Sequence, residues 1–162
     1  MVSRALKHLL LPAWLARRAF PAASLRKIEE AITAAERRHR GELRFAVEGP
    51  LSVPHLKKSS RDKAHEAFAH LHVWDTEENT GVLIYVQLVD RRIEILADRG
   101  IAARVAQSEW DQVCRAMEAR FRKGEYLPGA LEAIEAVTRI LERHFPPRGV
   151  NPNELPDKPA VI

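Results

Sequence analysis

Five acidic side chains flank the most apolar segment of the chain, and their type suits a hard cation such as Ca²⁺ or Mg²⁺. They are Asp75, Glu77, Glu78, Asp90 and Asp98. Such a cation needs several carboxylate or carbonyl oxygens that converge on one point, at about 2.3 to 2.6 Å for calcium. Asp90 and Asp98 flank a predicted strand at opposite ends, roughly 20 Å or more apart, so they cannot share an ion. Asp98 together with Asp75 is the remaining candidate site for Ca²⁺ or Mg²⁺, and solvated surface acids are the alternative.

Three histidines invite a comparison with zinc sites. His65 and His70 are five residues apart, whereas the metalloprotease motif places its two histidines four apart so that both lie on one helix face. His65 and His72 are seven apart and can share a face, but they supply only two ligands. The spacing therefore argues against a zinc site.

The chain lacks the short motifs of common enzyme classes. It contains no nucleophile elbow, Walker loop, dinucleotide fingerprint or aspartyl-phosphate motif. Ser59, Ser60 and Ser108 lie where helix caps are expected. The single cysteine, Cys114, falls within a helical pattern and is expected to be a buried or half-buried thiol. These observations favour binding over catalysis.

The first twenty residues combine leucines with basic side chains, which is the composition of an amphipathic helix at a membrane interface. A large share of the formal net charge of +4 lies in this N-terminal arm, residues 1–20. The residues expected to contact an anionic membrane or a protein partner are Arg4, Lys7, Leu10, Trp14, Arg17 and Arg18. Packing of the arm on its own domain, or self-association with a second copy of the chain, is the alternative.

Targeting signals and nucleic-acid motifs are missing from the sequence. The arm differs from a signal peptide because Pro12 interrupts its apolar run and Arg17 and Arg18 follow at once. No apolar stretch approaches the roughly 20 residues that a membrane-crossing helix needs. Basic residues are not interleaved with stacking aromatics, as they are in many nucleic-acid modules. We therefore expect a cytoplasmic protein, peripheral to the inner membrane where the arm binds lipid, with no nucleic-acid partner.

Hydrophobic periodicity predicts helices that alternate with strands. Four main helices are predicted. The first two span residues 24–38 and 60–71, the third follows a capping box at residues 108–111, and the fourth begins near residue 128. Strands are predicted at residues 42–48, 81–88 and 92–97, the first two parallel and the last two a hairpin. This order implies one domain, residues 21–146, with an α/β fold: an α/β/α sandwich whose small mixed sheet of three to four strands is covered on both faces. The proline-rich tail, residues 147–162, is expected to be extended or disordered.

The central segment resembles the core of the TPM domain, a family found in thylakoid lumen proteins and in bacterial envelope proteins. The resemblance spans roughly residues 24–145. It rests on NTGVLIYV at residues 79–86, DRR at 90–92, DRG at 98–100 and FRKGEYLPGALEAI at 121–134.

This resemblance implies an α/β/α sandwich, and by analogy acid phosphatase activity, divalent-cation binding, or repair and assembly of membrane complexes. Typical members carry a Gly-x-Gly-x-Glu turn after the second hairpin strand. This chain has DRGIAA at residues 98–103 and keeps only the first glycine of that turn, Gly100. The missing glutamate removes a candidate cation ligand. The sequence therefore favours a non-enzymatic binding or interaction module involved in assembly or maintenance of membrane proteins. A weak metal-assisted acid phosphatase is the alternative.

Overall fold

The computed structural model describes residues 3–162, in which helices cover both faces of a four-stranded sheet. The helices are α1 (Arg4–Leu10), α2 (Leu15–Ala19), α3 (Ala22–Ala35), α4 (Ser60–His70), α5 (Arg99–Ala102), α6 (Gln107–Arg122) and α7 (Tyr126–His144), with a 3₁₀ turn at Val53–His55. The strands are β1 (Glu42–Glu48), β2 (Gly81–Gln87), β3 (Arg92–Ala97) and β4 (Ala160–Val161). Their order is β3-β2-β1-β4, with β1 parallel to both neighbours and β2 antiparallel to β3. This is the predicted α/β/α sandwich with a small mixed sheet.

The two faces of the sheet carry different layers. Successive side chains of a strand point to opposite faces, so each strand contributes to both layers. The side chains on the first face pack against α3, α6 and α7; those of β1 and β2 are Leu43, Phe45, Val47, Val82, Ile84 and Val86. On the second face, Leu83 and Tyr85 pack against α4. β2 is buried along its whole length, as its unbroken apolar sequence predicts.

Two glycines allow the turns at one end of the sheet to pack closely. A Cβ on Gly81 would lie 1.9 Å from the carbonyl oxygen of Val73, so no larger residue fits at the start of β2. A Cβ on Gly100 would lie 2.6 Å from the carbonyl oxygens of Glu78 and Asn79. The turn before β2 and the turn after β3 are therefore in direct contact.

Three helices begin at other residues than the sequence predicts; one of them, α7, starts at Tyr126 rather than at residue 128. α3 starts at Ala22, directly after Pro21, rather than at residue 24, because proline suits a helix start, where its missing N–H leaves no donor unsatisfied. α6 starts at Gln107, and its N-cap Ala106 makes no side-chain hydrogen bond. The predicted capping box at residues 108–111 is therefore wrong.

The N-terminal arm ends in the hydrophobic core. Phe20, the last residue of the arm, is fully buried. Its ring centroid lies 5.8 Å from that of Phe45, 5.9 Å from Phe121 and 5.8 Å from Tyr126. The structure thus packs the end of the arm on its own domain, which is one of the arrangements that the sequence leaves open.

The C-terminal tail is ordered, and the expectation of disorder needs correction. Residues 151–162, here named the C-terminal strap, run along β1 and end in β4, where Ala46 pairs with Ala160 and Val47 with Val161. Leu155 of the strap is buried in the second-face core. α4 lies against β2 and β3, so it leaves the second face of β1 uncovered. The strap covers that face, and this gives the tail a fixed position.

Two buried charged side chains of β1 hold the strap by its backbone. Glu42 Oε2 accepts hydrogen bonds from the amides of Glu154 at 3.2 Å and Leu155 at 3.0 Å. Arg44 donates to the carbonyl of Lys158 at 3.0 Å and also to that of Pro156. The contacts use main-chain atoms, which explains why a proline-rich segment without hydrophobic periodicity still has a fixed position.

Burial of the acids beside the strap changes their titration. Burial raises the pKa of the Glu36 carboxyl to about 9. The negative charges of Glu42 and Asp157 raise this pKa further, and the hydrogen bond from the Leu43 amide lowers it in part. Burial likewise raises the pKa of Glu42 to about 7. Burial lowers the pKa of His39 to about 4. Near neutral pH, folding therefore keeps a proton on Glu36.

We expect the free energy of unfolding to fall as the pH rises from 7 to 9. The folded-state pKa of Glu36 lies above its ordinary 4.5, so its contribution is complete below pH 4.5 and is lost as the pH rises toward 9. One proton taken up on folding gives a slope of about 1.4 kcal/mol per pH unit. Urea unfolding at several pH values measures it. Glu36→Gln should reduce the dependence of the unfolding free energy on pH, whereas Glu30→Gln on the exposed side of α3 should not. Equal slopes in both variants would contradict the raised pKa of Glu36.

Candidate functional site

Helix α1 is docked on the domain by its polar side chains. Arg4 donates through Nε to Asp90 Oδ2 at 2.8 Å, and through an Nη atom to the carbonyls of Leu56 at 2.6 Å and Lys58 at 3.0 Å. Its other Nη atom lies 2.8 Å from the same Asp90 oxygen. One turn later on the helix, His8 meets the second oxygen of Asp90 at 3.1 Å. The turn between β2 and β3 therefore holds α1 through a single carboxylate.

The buried ring of His8 joins this carboxylate to a loop. The amide of Leu51 donates to His8 Nδ1 at 2.9 Å, so the ring proton must lie on Nε2, which donates to Asp90. His8 is almost fully buried, and both of its nitrogens are thus satisfied. Its ring is the inward-facing polar contact of α1.

The opposite side of the arm exposes its apolar residues to water. The exposed fraction is 60% for Leu9, 70% for Leu10 and 55% for Trp14. We name the exposed set the apolar ridge; it comprises Leu6, Leu9, Leu10, Leu11 and Trp14. A surface helix ordinarily turns its leucines toward the core and its charges toward solvent. In α1 this arrangement is reversed.

Unpaired basic side chains lie beside the apolar ridge. Lys7, Arg17 and Arg18 are exposed, and in the described part of the chain none of them forms a salt bridge with an acid. The Arg18 guanidinium lies 5.9 Å from the ring centroid of Trp14. Residues 1–20 hold four of the 26 basic residues and no acid, so the rest of the chain has 22 basic and 22 acidic residues. The whole formal charge excess belongs to the arm.

A cavity of about 410 Å³ lies beside α1. Its lining consists of Arg4, Lys7, Ser59, Ser60, Asp90 and Arg92. The carboxylate of Asp90 is already bound by Arg4 and His8. The remaining charge of the lining is therefore positive, and the cavity suits an anionic group.

The two acids predicted to bind a cation have different surroundings. Asp75 is exposed in the segment between α4 and β2. Asp98 caps α5 through Oδ1, which accepts from the Arg99 amide at 2.7 Å, while its Oδ2 is buried without a hydrogen-bond partner. Across residues 3–162, no group of three or more His, Cys, Asp and Glu side chains is placed to hold a metal ion.

Asp98 also lines a cavity of about 260 Å³ between α4 and α6. Its walls include Arg61, His65, Phe68 and Trp110. The cavity is therefore lined by the carboxylate of Asp98, the guanidinium of Arg61 and the imidazole of His65, together with apolar side chains. The site is too poor in oxygen ligands to be defined as a cation site by geometry alone.

Sequence analysis missed the residues that orient the arm. From the sequence, Asp90 is a candidate cation ligand and Arg4 a membrane or partner contact, whereas in the structure the two bind each other and hold α1 on the domain. The four-residue spacing of Arg4 and His8 puts both on one side of α1, which is the signal that was available. For Cys114 the prediction of a half-buried thiol is confirmed, and burial raises its pKa to about 12.

Comparison with known proteins identifies the fold family. A model of the TPM domain matches residues 17–140. The chain belongs to the TPM domain family. Among solved structures it resembles the NMR structure of the BA42 protein from the psychrophilic bacterium Bizionia argentinensis, with a TM-score of 0.78 and 29% identity over 88% of this chain and 94% of BA42. A search of curated proteins gives no match.

The match confirms the resemblance and the fold, and it leaves the arm to be explained separately. The TPM match begins at residue 17, so α1 lies outside the matched region. Within residues 3–162, every helix is either too short or too polar to cross a bilayer. Any role of the apolar ridge in this TPM protein must therefore be argued from its own geometry.

We expect Asp90→Ala to release α1, because Arg4 and buried His8 lose their shared acceptor. An unsatisfied buried polar group costs about 2 kcal/mol, and urea unfolding should show a loss of this size. Trypsin should also cleave faster at Arg17 and Arg18. Asp111→Ala, which removes only a surface hydrogen bond from Gln107, is the control; equal stability of the two variants would refute the role of Asp90.

Proposed function

We propose that this TPM protein is a non-enzymatic binding module that attaches to an anionic membrane surface through its N-terminal arm. There it would serve the assembly or maintenance of membrane proteins, the role that the family resemblance implies. The observation that carries the proposal is the reversed orientation of α1. Its polar residues Arg4 and His8 face the domain, and its leucines face outward.

The apolar ridge and its basic neighbours have the chemistry of an interfacial helix. Such a helix lies in the plane of the membrane, with its apolar side among the acyl chains and its basic residues near the headgroups. Each Lys or Arg near an anionic surface contributes about 1 kcal/mol, and the arm offers Lys7, Arg17 and Arg18. An isolated helix of seven residues would be unstable in water. Docking on the domain forms α1 in advance and removes that cost from binding.

The charge of the arm favours a membrane over a protein partner or a second copy. Two arms that met along their ridges would bring together two sets of unpaired cations, with no acid in either arm to offset them. An anionic lipid surface offsets these charges and covers the leucines at once. The basic cavity beside α1 gives space for a phosphate headgroup next to the ridge.

We expect flotation with vesicles of phosphatidylglycerol and phosphatidylcholine to recover the full chain, and vesicles of phosphatidylcholine alone to recover much less. Leu9→Asp with Leu10→Asp should reduce recovery at least about tenfold, because two apolar contacts are lost and two repelled charges are added. The matched control is Val53→Asp with Val150→Asp, at exposed apolar positions outside the arm (63% and 94% exposed). Equal recovery of both double variants would refute the proposal.

Substitution is a better test than truncation here, because a chain starting at residue 21 would lose the buried ring of Phe20. Light scattering on the same variants separates lipid binding from self-association. A dimer that Leu9→Asp with Leu10→Asp dissociates would support the second copy as the partner instead.

A weak metal-assisted acid phosphatase is the second candidate function. The observation in its favour is the buried Asp98 Oδ2, which has no hydrogen-bond partner and can accept a cation. Asp75, the other predicted ligand, is exposed in the segment before β2 and would supply a second carboxylate. A bound divalent cation would supply positive charge to a phosphoryl group. Arg61 and His65 line the cavity next to Asp98.

One assay decides between the two candidates. We expect the purified protein to give no turnover of a chromogenic phosphate ester in the presence of Mg²⁺ or Ca²⁺. Turnover that Asp98→Ala abolishes, while Asp75→Ala weakens it, would contradict the non-enzymatic proposal and support the phosphatase. Asp111→Ala on the surface of α6 controls for a contaminating enzyme.

A further inference from the structure

The basic cavity beside α1 lies where three parts of the fold meet. It has a volume of about 410 Å³, and α1, the start of α4 and the β2–β3 hairpin each supply two lining residues: Arg4 and Lys7, Ser59 and Ser60, Asp90 and Arg92. Arg4 joins these walls, because it binds Asp90 of the hairpin and donates to two carbonyls of the segment 56–58 before α4. The walls are therefore fixed before a ligand arrives, which lowers the ordering cost of binding.

The lining of the cavity carries three cations and one acid. The acid, Asp90, is bound at one oxygen by Arg4 and at the other by His8. Both of its oxygens are thus engaged, and it does not pair with Lys7 or Arg92. Three positive charges and one negative charge leave the lining with an excess of two positive charges.

Two of the three cations are available to a ligand. Lys7 is exposed, and within residues 3–162 it forms no salt bridge. The side chain of Arg92 is 64% exposed, and it lies 3.9 Å from Glu118 Oε1. That oxygen already accepts a hydrogen bond from the Ile93 amide at 3.1 Å. Lys7 and Arg92 can therefore turn to an anion in the cavity without breaking a short ion pair.

The hydroxyl groups of the lining are already committed. Ser59 Oγ donates to Asp62 at 2.7 Å, and Ser60 Oγ donates to Glu94 at 2.6 Å. These two acids next to the cavity are thereby held by hydrogen bonds from the serines. Recognition in the cavity depends on charge more than on hydroxyl donors.

The β2–β3 turn adds a further cation in a strained conformation. Arg91, which lies in sequence between two lining residues, is exposed and has a φ of +52°. Residues other than glycine rarely adopt such a φ, and strain of this kind concentrates at binding sites. Within the described residues Arg91 forms no salt bridge, so it adds to the positive potential of the turn.

We infer that this cavity binds the terminal phosphate of a phosphomonoester in preference to a phosphodiester. A phosphomonoester carries a charge of about −1.5 to −2 near neutral pH, which the two excess positive charges offset, whereas a phosphodiester carries a single negative charge. Lys7 and Arg92 donate to the phosphate oxygens, and an arginine can do so through two N–H groups at once. The phosphate belongs either to a lipid headgroup or to a soluble molecule. The inference deepens the proposed function by naming the headgroup, and it rests on that function for the lipid source alone.

An NMR titration of the ¹⁵N-labelled full chain near neutral pH tests the site without a membrane. The probes are methyl phosphate, a monoester, and dimethyl phosphate, a diester, at equal ionic strength. We expect methyl phosphate to bind at least about tenfold more tightly and to shift the amide signals around Lys7, Ser60 and Arg92.

The variant Lys7→Gln with Arg92→Gln should weaken the binding of methyl phosphate at least about tenfold, and Lys7→Gln alone should weaken it in part. Neither residue anchors α1, so these variants should fold. The matched control is Lys27→Gln with Arg37→Gln, which removes the same two residue types from exposed positions of α3. Three results would overturn the inference: no saturable binding of methyl phosphate, equal affinity for dimethyl phosphate, or an equal effect of the two double variants.

Vesicle flotation then identifies the source of the phosphate. Vesicles with phosphatidic acid, a phosphomonoester lipid, should recover more protein than phosphatidylglycerol vesicles of equal surface potential, and soluble methyl phosphate should reduce that excess. Equal recovery from both vesicles, with methyl phosphate still bound in solution, would support the site and assign it to a soluble phosphomonoester. Flotation that Leu9→Asp with Leu10→Asp leaves unchanged would refute the membrane proposal, whereas the NMR titration would still support the cavity.

Discussion

The carboxylate of Asp90 decides which side of α1 faces water. Turning the helix over would bury Leu9 and Leu10, a gain of about 1.5 to 3 kcal/mol each. It would also separate Asp90 from Arg4 and buried His8, and leaving a buried polar group without its partner costs about 1 to 3 kcal/mol for each group. The free energy gained by burying the leucines and the free energy lost with the polar contacts are similar in size. In water, the outward orientation of the leucines is therefore only slightly the more stable one. In the proposed attachment, a membrane would satisfy both sets of residues, because it would cover the leucines while the polar contacts stay in place.

The N-terminal arm and the C-terminal strap meet at the same part of the fold, the carboxyl end of β1. The strap ends there in β4, and α2 passes there on its way to Phe20. A cavity of about 400 Å³ between them is lined by Trp14, Arg17 and Ile162, among others. The sheet itself depends on this arrangement, since a strand buried on both faces needs cover on both. Helices cover the first face of β1, and the strap covers the second.

Sequence reasoning succeeded where one physical signal dominates. Alternation at residues 42–48 and the unbroken apolar run from Gly81 fixed the strands, because side-chain period and burial are direct consequences of the pleat. The strap was missed since its position depends on main-chain contacts to Glu42 and Arg44, which leave no hydrophobic period. The orientation of α1 was missed for another reason. An amphipathic pattern shows that a helix has an apolar and a polar side, but it does not show that Asp90 will bind the polar side and leave the apolar side in water.

The accessibility of Leu10 tests the orientation of α1 most directly. The native thiol of Cys114 is half-buried, with its pKa raised to about 12 by burial, so it should react slowly with a water-soluble maleimide at neutral pH. We predict that Leu10→Cys is modified rapidly in water, at the rate of an exposed thiol, and that phosphatidylglycerol vesicles slow this reaction at least about tenfold. Slow modification in the absence of vesicles, or a rate that anionic vesicles leave unchanged, would contradict the account.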